Sequence, residues 1–458
     1  MKLTSFLISA ILLLLNFHSS THGQTISENY NKIWADPEIE DRIQTGIDTY
    51  RKGWAALSFK NEKGKPVTFS GDIRVEQKSH DFLFGANIFM IDGYEEDMKN
   101  EKYEAVFQDL LNFATVPFYW PHLEPERGNV RFEKDSKPMH RRPAPDIVVD
   151  FCKKNDVVMK GHPLFWDNTG HGIPKWLPTE EDSIEYFIEK RIKQIAERYS
   201  DDIWHWDVVN ETNNRRVENP VPKQFAFKVF KIAEKHFGYE HTFAYNFTTR
   251  IWQEYREEYS LEYVLVENML LKGGRVDAIG LQCHFFNPGI WNKILEGNAM
   301  TPEKMYQILD LYGQFDRPLQ ITEITFPTYP KGKTGEENQA RITRDFYRLW
   351  FSHPNVKAIT WWNIPDGGAA GNQNRADGGF LREDMSPKPS YQVLDELINK
   401  EWQTQITETV NGKDKYKFKG FYGEYNIVLT KDGSELKRIN VHIDEDGANA
   451  FDIVLPKL

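Results

Sequence analysis

Cysteine is almost absent from this sequence. Two occur in 458 residues, Cys152 and Cys283, one in a segment of helical periodicity and the other in an apolar run far along the chain. A disulfide is therefore the lesser reading, and two buried free thiols are expected, since an unpaired Cys behaves as a small hydrophobe. No CxxC, Cys/His cluster, HxH or HExxH spacing occurs, so neither a metal centre nor a cofactor is expected. Basic charge is in deficit as well. With 57 Lys and Arg against 68 Asp and Glu, the formal charge is −11, which leaves no excess to neutralise phosphates and argues against nucleic acid as a partner. No Gly-rich phosphate loop, internal repeat, low-complexity tract or Pro/Ser/Gly linker is found.

Long apolar runs are missing except at the start. "MKLTSFLISAILLLLNFHSSTHGQ" has Lys2 ahead of a short apolar core, followed by small and polar residues. That is the pattern of a signal peptide over residues 1–23, cut near Gly23–Gln24; its core is too short for a permanent bilayer helix. No Cys follows to carry a lipid. The mature protein is expected to be exported, extracellular or periplasmic, without a membrane span and as a monomer.

What is abundant is aromatic: 13 Trp, 20 Tyr and 30 Phe. Flat rings with polar edges suit a sugar-binding cleft, and a large barrel core absorbs them equally well. The length predicts one large domain plus a small one. Residues 24–80 read as a polar helical lead-in ("DPEIEDRIQTGIDTYRKG") and a β-hairpin turning at "NEKGKPV".

From residue 81 to 401, strand-length apolar runs alternate with amphipathic helical stretches such as "SIEYFIEKRIKQIAERYS" (183–200) and "QARITRDFYRLWFSHP" (339–354). The strand candidates cover 82–90, 112–120, 157–166, 203–211, 241–247, 278–286, 318–326 and 356–364. Eight strands alternating with helices predict an α/β fold, the (β/α)8 TIM barrel. Residues 402–458 alternate with period two between Asp-Gly turns and predict a small C-terminal antiparallel β-domain packed on the barrel. Phe421, Tyr422 and Tyr425 there are either core or a sugar-stacking patch, with core packing the default.

In such a barrel the chemistry sits at the C-terminal ends of the strands. The fourth strand, "IWHWDVVNE", ends in Asn210–Glu211, and the seventh, "PLQITEITF", carries Thr322–Glu323. His162, Trp166 and Asp167 mark the third strand, Gln282 and His284 the sixth, and Trp361, Trp362 and then Asp366 the eighth. A strand-end Glu is ordinarily a solvated loop residue or half of a salt bridge. Two of them facing each other among aromatics fit glycosidic hydrolysis with retention, one protonating the leaving oxygen and one attacking the anomeric carbon. His162 and His284 read as orienters of substrate or carboxylate.

These residues resemble those of the family 10 glycoside hydrolases, the endo-β-1,4-xylanase family. "WDVVNE" resembles the acid/base motif, "ITEI" the nucleophile motif, "GHPLFW" the strand-three motif, "VDAIGLQCH" the strand-six motif and "PKPSY" the segment opening the last helix. The resemblance runs from about residue 80 to 395. It implies a retaining endo-xylanase with Glu211 as acid/base, Glu323 as nucleophile, Asn210 holding the sugar's 2-hydroxyl, and His284 contacting the nucleophile.

Departures from the pattern lie on the glycone side. "ATVPFYWPHLEPERG" keeps Trp120 but has Tyr119 where the family carries Lys, and lacks its Asn-Glu. Asp167 stands where the family usually has His, and the second Trp beyond Asp366 is missing. The backbone sugar is therefore open. A hydrolase of another acidic or decorated β-glycan, a barrel glycosidase of another family and a non-catalytic carbohydrate-binding barrel all remain alternatives. Tyr119, with no charge to donate, predicts weak binding of plain xylan. Two arginine pairs, Arg141–Arg142 after strand two and Arg215–Arg216 after strand four, should lie on the catalytic face. They form either a solvated rim paired with Asp and Glu, or a site for anionic groups.

Overall fold

The structure, a computed structural model, describes residues 25–456 except 217 and 218. The leader expected over residues 1–23 lies outside the described residues. Eight parallel strands close on themselves: β1 (Leu83–Asn87), β2 (Phe113–Pro117), β3 (Val158–His162), β4 (His205–Asn210), β5 (Thr242–Phe247), β6 (Ala278–His284), β7 (Leu319–Thr325) and β8 (Val356–Trp361). Each pairs with its neighbour in sequence, β8 returns to β1, and a two-residue extension, Phe165–Trp166, continues the third strand against β4. The runs were legible because a parallel barrel buries both faces of its strands: every residue of β2 and β7 is buried. The expected helices form over Glu181–Tyr199 and Lys333–Ser352.

Two glycines mark where strands allow no side chain. A Cβ on Gly161 would lie 2.0 Å from Trp206, and one on Gly280 would lie 2.4 Å from the Asn246 side-chain oxygen. Trp206 fills the face of β4 that meets the helices, where it packs on Phe237. Facing the barrel interior instead, Lys160 and His162 reach Asp207 at 3.2 and 2.7 Å. All three are buried.

The accessory β-domain is built from both ends of the chain. Strand 52–60 is the centre of a three-stranded sheet, antiparallel to 415–421 and parallel to 450–454. Strand 69–77 lies in a separate four-stranded antiparallel sheet between 405–413 and 423–431, with 434–443 at the edge. The two N-terminal strands therefore do not form the expected hairpin. Their turn is real, with the Asn61 carboxamide capping Lys63 and Lys65, but past it the strands diverge into different sheets that share one core, including Leu57, Ile73, Phe418 and Ile427. Trp402 stacks on Phe351 at 4.0 Å, and Phe421 joins the barrel's hydrophobic core. Phe421 and Tyr425 are buried, in keeping with core packing. Cys152 and Cys283 are free and buried.

Candidate active site

Glu211 and Glu323 meet over the C-terminal mouth of the barrel. β4 has a register shift between Asp207 and Val209, and Glu211, just past its end, takes up the left-handed conformation, φ 56° and ψ 35°. A non-glycine residue there is strained, and the surroundings hold it. Its amide donates to the Asn246 carbonyl at 2.8 Å. On β7 a shift between Ile321 and Glu323 turns Glu323 into the same space.

The carboxyls are joined through one side chain. The Gln282 amide nitrogen donates to Glu211 Oε1 at 3.0 Å and to Glu323 Oε1 at 3.1 Å. Beyond that bridge the two differ. Glu323 also accepts from Asn246 Nδ2 at 3.0 Å, and His284 Nε2 lies 3.1 Å from its other oxygen. His162 Nε2 is 4.0 Å away. Glu211 has Asn210 as its further hydrogen-bond donor. Burial pushes both carboxyls up to about 7, and at Glu211 the neighbouring Glu323 charge adds to the rise. Burial holds the His284 imidazole down at about 4, so it is neutral at neutral pH. With Nε2 protonated it donates to Glu323, while Nδ1, at 2.9 Å, accepts from the Thr325 hydroxyl. Burial would raise Asp207, but Lys160 and His162 outweigh it and keep that carboxylate ionised beneath the site.

A cleft of 490 Å³ surrounds the pair. Tyr119, His162, Trp166, Asn210, Gln282, His284 and Trp362 all line it, as do Arg141 and Arg142. Phe89 packs edge-on to both Tyr119 and Trp362, which makes the wall beside Glu323 aromatic. His171 lies parallel over Trp166 at 6.0 Å and widens that platform. One anticipated contact is not there. Trp120 begins a short helix, points into the core and donates its indole N–H to Glu124 at 2.9 Å. Asp167, also expected at the substrate, turns toward Arg215, 3.3 Å away, and borders an adjoining recess that Trp166, Glu211 and Arg216 line as well. Burial raises its carboxyl to about 6 against the pull of Arg215.

Asn246 was not anticipated, yet it orders the whole site. It receives the Thr322 hydroxyl at 2.7 Å and donates to Asn210 at 2.8 Å as well as to Glu323. It is the last polar residue of the apolar run "HTFAYNF", the signal that picked out the other strands. The buried Lys160 and Asp207 were visible only as charges inside otherwise apolar strands.

Residues 80–397 match the profile of glycosyl hydrolase family 10. The chain belongs to that family. Among relatives, an anti-sigma-I factor of Acetivibrio thermocellus, RsgI6, is 23% identical over 86% of this chain and 47% of its own length. Endo-1,4-beta-xylanase 3 of Arabidopsis thaliana is 22% identical over 86% of this chain and 48% of its own. The chain thus spans about half the length of these two curated relatives. Endo-1,4-beta-xylanase A of Caldicellulosiruptor saccharolyticus is 26% identical over 57% of this chain and 79% of its own. The fold matches that of xylanase 10B from Thermotoga petrophila in complex with xylobiose, with a TM-score of 0.56, 21% identity and coverage of 70% of this chain and 95% of that one.

Within this family 10 barrel the two arginine pairs behave differently. Arg215 forms the rim ion pair with Asp167, and Arg216 is exposed. Arg141 and Arg142 are buried. Arg142 lies over the Tyr119 ring at 3.9 Å, and the Tyr119 hydroxyl is 3.2 Å from His162 Nε2. Among the described residues no carboxylate pairs with either. The Asp366 carboxylate past β8 is held by Lys388 of "PKPSY" at 2.7 Å, which ties the loop after the last strand to the final helix.

Proposed function

We propose that this chain is a retaining endo-glycosidase that hydrolyses β-1,4-linked, xylan-type polysaccharide by double displacement. The observation that carries the mechanism is the Gln282 bridge. Donating to both carboxyls, it bounds the distance between those two oxygens at about 6 Å, which supports the close spacing of a retaining pair (roughly 5–5.5 Å between carboxyl groups) over the roughly 6.5–9.5 Å of an inverting one. The donor count divides the roles. Glu323 receives the larger set of donors, so it is the better-stabilised anion and the nucleophile. Glu211, raised by burial and by that neighbouring charge, keeps the proton.

In the first step the Glu211 proton passes to the glycosidic oxygen as that bond breaks. A Glu323 oxygen bonds to the anomeric carbon and forms a glycosyl ester. In the second step the Glu211 carboxylate takes a proton from water, whose oxygen displaces Glu323 and restores the original anomer. Asn210, Trp166, Trp362 and Tyr119 would hold the sugars, with His162 and His284 orienting Glu323. The xylan backbone is supported by the relatives named as endo-1,4-β-xylanases. An extracellular or periplasmic location is supported by the leader-like first residues, and no described helix is long and apolar enough to cross a membrane.

Paired variants test the assignment. Glu323→Ala should abolish turnover on every substrate. Glu211→Ala should lose about 10²–10⁴-fold on polysaccharide, the usual worth of a general acid, yet keep activity on aryl glycosides with good leaving groups and gain rate with azide. Near wild-type turnover in both variants would refute it.

A further inference from the structure

Arg141 and Arg142 carry more charge into the cleft than the hydrolytic reaction uses. Both guanidinium groups are more than nine-tenths buried and line the same cavity as Glu211 and Glu323. Arg141 sits at φ 60°, in the left-handed region, and its Nη1 is fixed by Asn363 of the loop after β8 at 2.8 Å. Arg142 stacks on Tyr119, and its Nη1 donates to the Arg141 carbonyl at 2.7 Å. The Nε–H of each is buried and has no partner. Burial and repulsion from Arg142 depress the Arg141 guanidinium to about 10; the phenols of Tyr119, Tyr103 and Tyr94 offset them in part, and no carboxylate does. The catalytic carboxyls are not the counter-ions: Glu323 has His162 and His284 as its ion-pair neighbours, and among the described residues neither arginine comes within ion-pair distance of Glu211 or Glu323.

Two adjacent buried cations without a counter-charge are costly in the empty site, and the cost falls when an anion enters. A rim arginine such as Arg215 finds its carboxylate within the protein; among the described residues this pair finds none. The route from the pair to the nucleophile is short. Arg142 covers Tyr119, Tyr119 touches His162, and His162 lies against Glu323. An anion held by the pair would therefore sit on the sugar that Glu323 attacks or on the one beside it.

We infer that Arg141 and Arg142 form a receptor for an oxyanion on the glycone side of the cleavage point, a uronic-acid carboxylate or a sulfate ester borne by the glycan. This rests on the reading of the cleft as a glycan site. Guanidinium groups take such oxyanions in bidentate fashion, with a planar fork that a Lys lacks. Tyr119 at the family's Lys position then has a structural reason, since its ring is the platform for Arg142.

The test is calorimetric binding to the Glu323→Gln protein, which does not consume the ligand. One pair of probes is xylotetraose bearing a glucuronic acid branch and its carboxyl-reduced form; the other is sulfated xylotetraose and its desulfated parent. The inference predicts that at least one acidic probe binds about tenfold or more tighter than its neutral partner, as for a hydrogen bond to a charged group. The arm that responds identifies the oxyanion. In Arg141→Gln and Arg142→Gln the preference should fall to about twofold or less, and sodium chloride should weaken it in the parent protein. If neither variant folds, the parent's acidic-to-neutral ratio and its salt dependence decide. Equal affinity in both arms, or a preference unchanged in both variants, overturns the inference. Cleavage of neutral xylan by the wild-type protein without the preference leaves the glycosidase reading standing and removes this one. The preference without hydrolysis of any probe does the reverse.

Discussion

Glu323 is buried and Glu211 is half-buried, they are unequally hydrogen-bonded, and the roles proposed for them follow from that. A general acid must be protonated when substrate arrives, and a nucleophile must not. With both carboxyls pushed up to about 7, the pair titrates as a unit and holds one proton over the working range. Activity should therefore fall as pH rises through about 7, where that proton leaves, and fall again at lower pH as Glu323 is neutralised. In Glu323→Gln the neighbouring charge is gone, so the Glu211 carboxyl should titrate below its wild-type value. Infrared or carbon NMR titration of the carboxyl would show this, and an unmoved midpoint would contradict it. Glu211, Glu323, Gln282 and His284 were legible because strand ends in a closed barrel converge. Trp120 was misread because the chain turns into a helix there and swings the indole into the core. The buried state of Arg141 and Arg142 was not legible, since it depends on Asn363 from the loop after β8 and on Tyr119 at the far end of their own loop.

The strands themselves are specified by apolar runs, and their limits by residues that cannot fit. Gly161 is the sharpest case. Its missing side chain is the space that Trp206 occupies, so a methyl group there forces the ring or the strand to move. Gly161→Ala should cost about 1–3 kcal/mol by overpacking and lower the midpoint of thermal or urea unfolding. An unchanged midpoint would mean that β3 and β4 adjust freely. At this scale the eight barrel strands were legible, though their predicted ends ran long: the run 112–120 stops as a strand at Pro117 because Tyr119 caps a helical turn. The partners of strands 52–60 and 69–77 were not legible. Alternation specifies a strand and the face it buries, while the identity of its neighbour is set by residues hundreds of positions away.

Across the whole molecule, both ends of the chain close the β-domain on the barrel. Ending the chain at residue 401 would strip 52–60 and 69–77 of their partners and expose Leu57, Phe59, Ile73 and Val75, all buried in that domain's core. We expect such a truncated chain to be less soluble and to unfold at lower temperature than the full one. Equal yield and an equal midpoint would mean that the β-domain is an independent appendage. The assignment of the nucleophile to Glu323, with Glu211 as its acid partner, joins the three scales. It is tested most directly by covalent trapping with a dinitrophenyl 2-deoxy-2-fluoro-β-xylobioside, whose second step is slow, followed by mass spectrometry of the labelled peptide. One glycosyl group per chain is expected, bound to Glu323. Label on Glu211, or no label from a protein that is cleaving xylan, would contradict it.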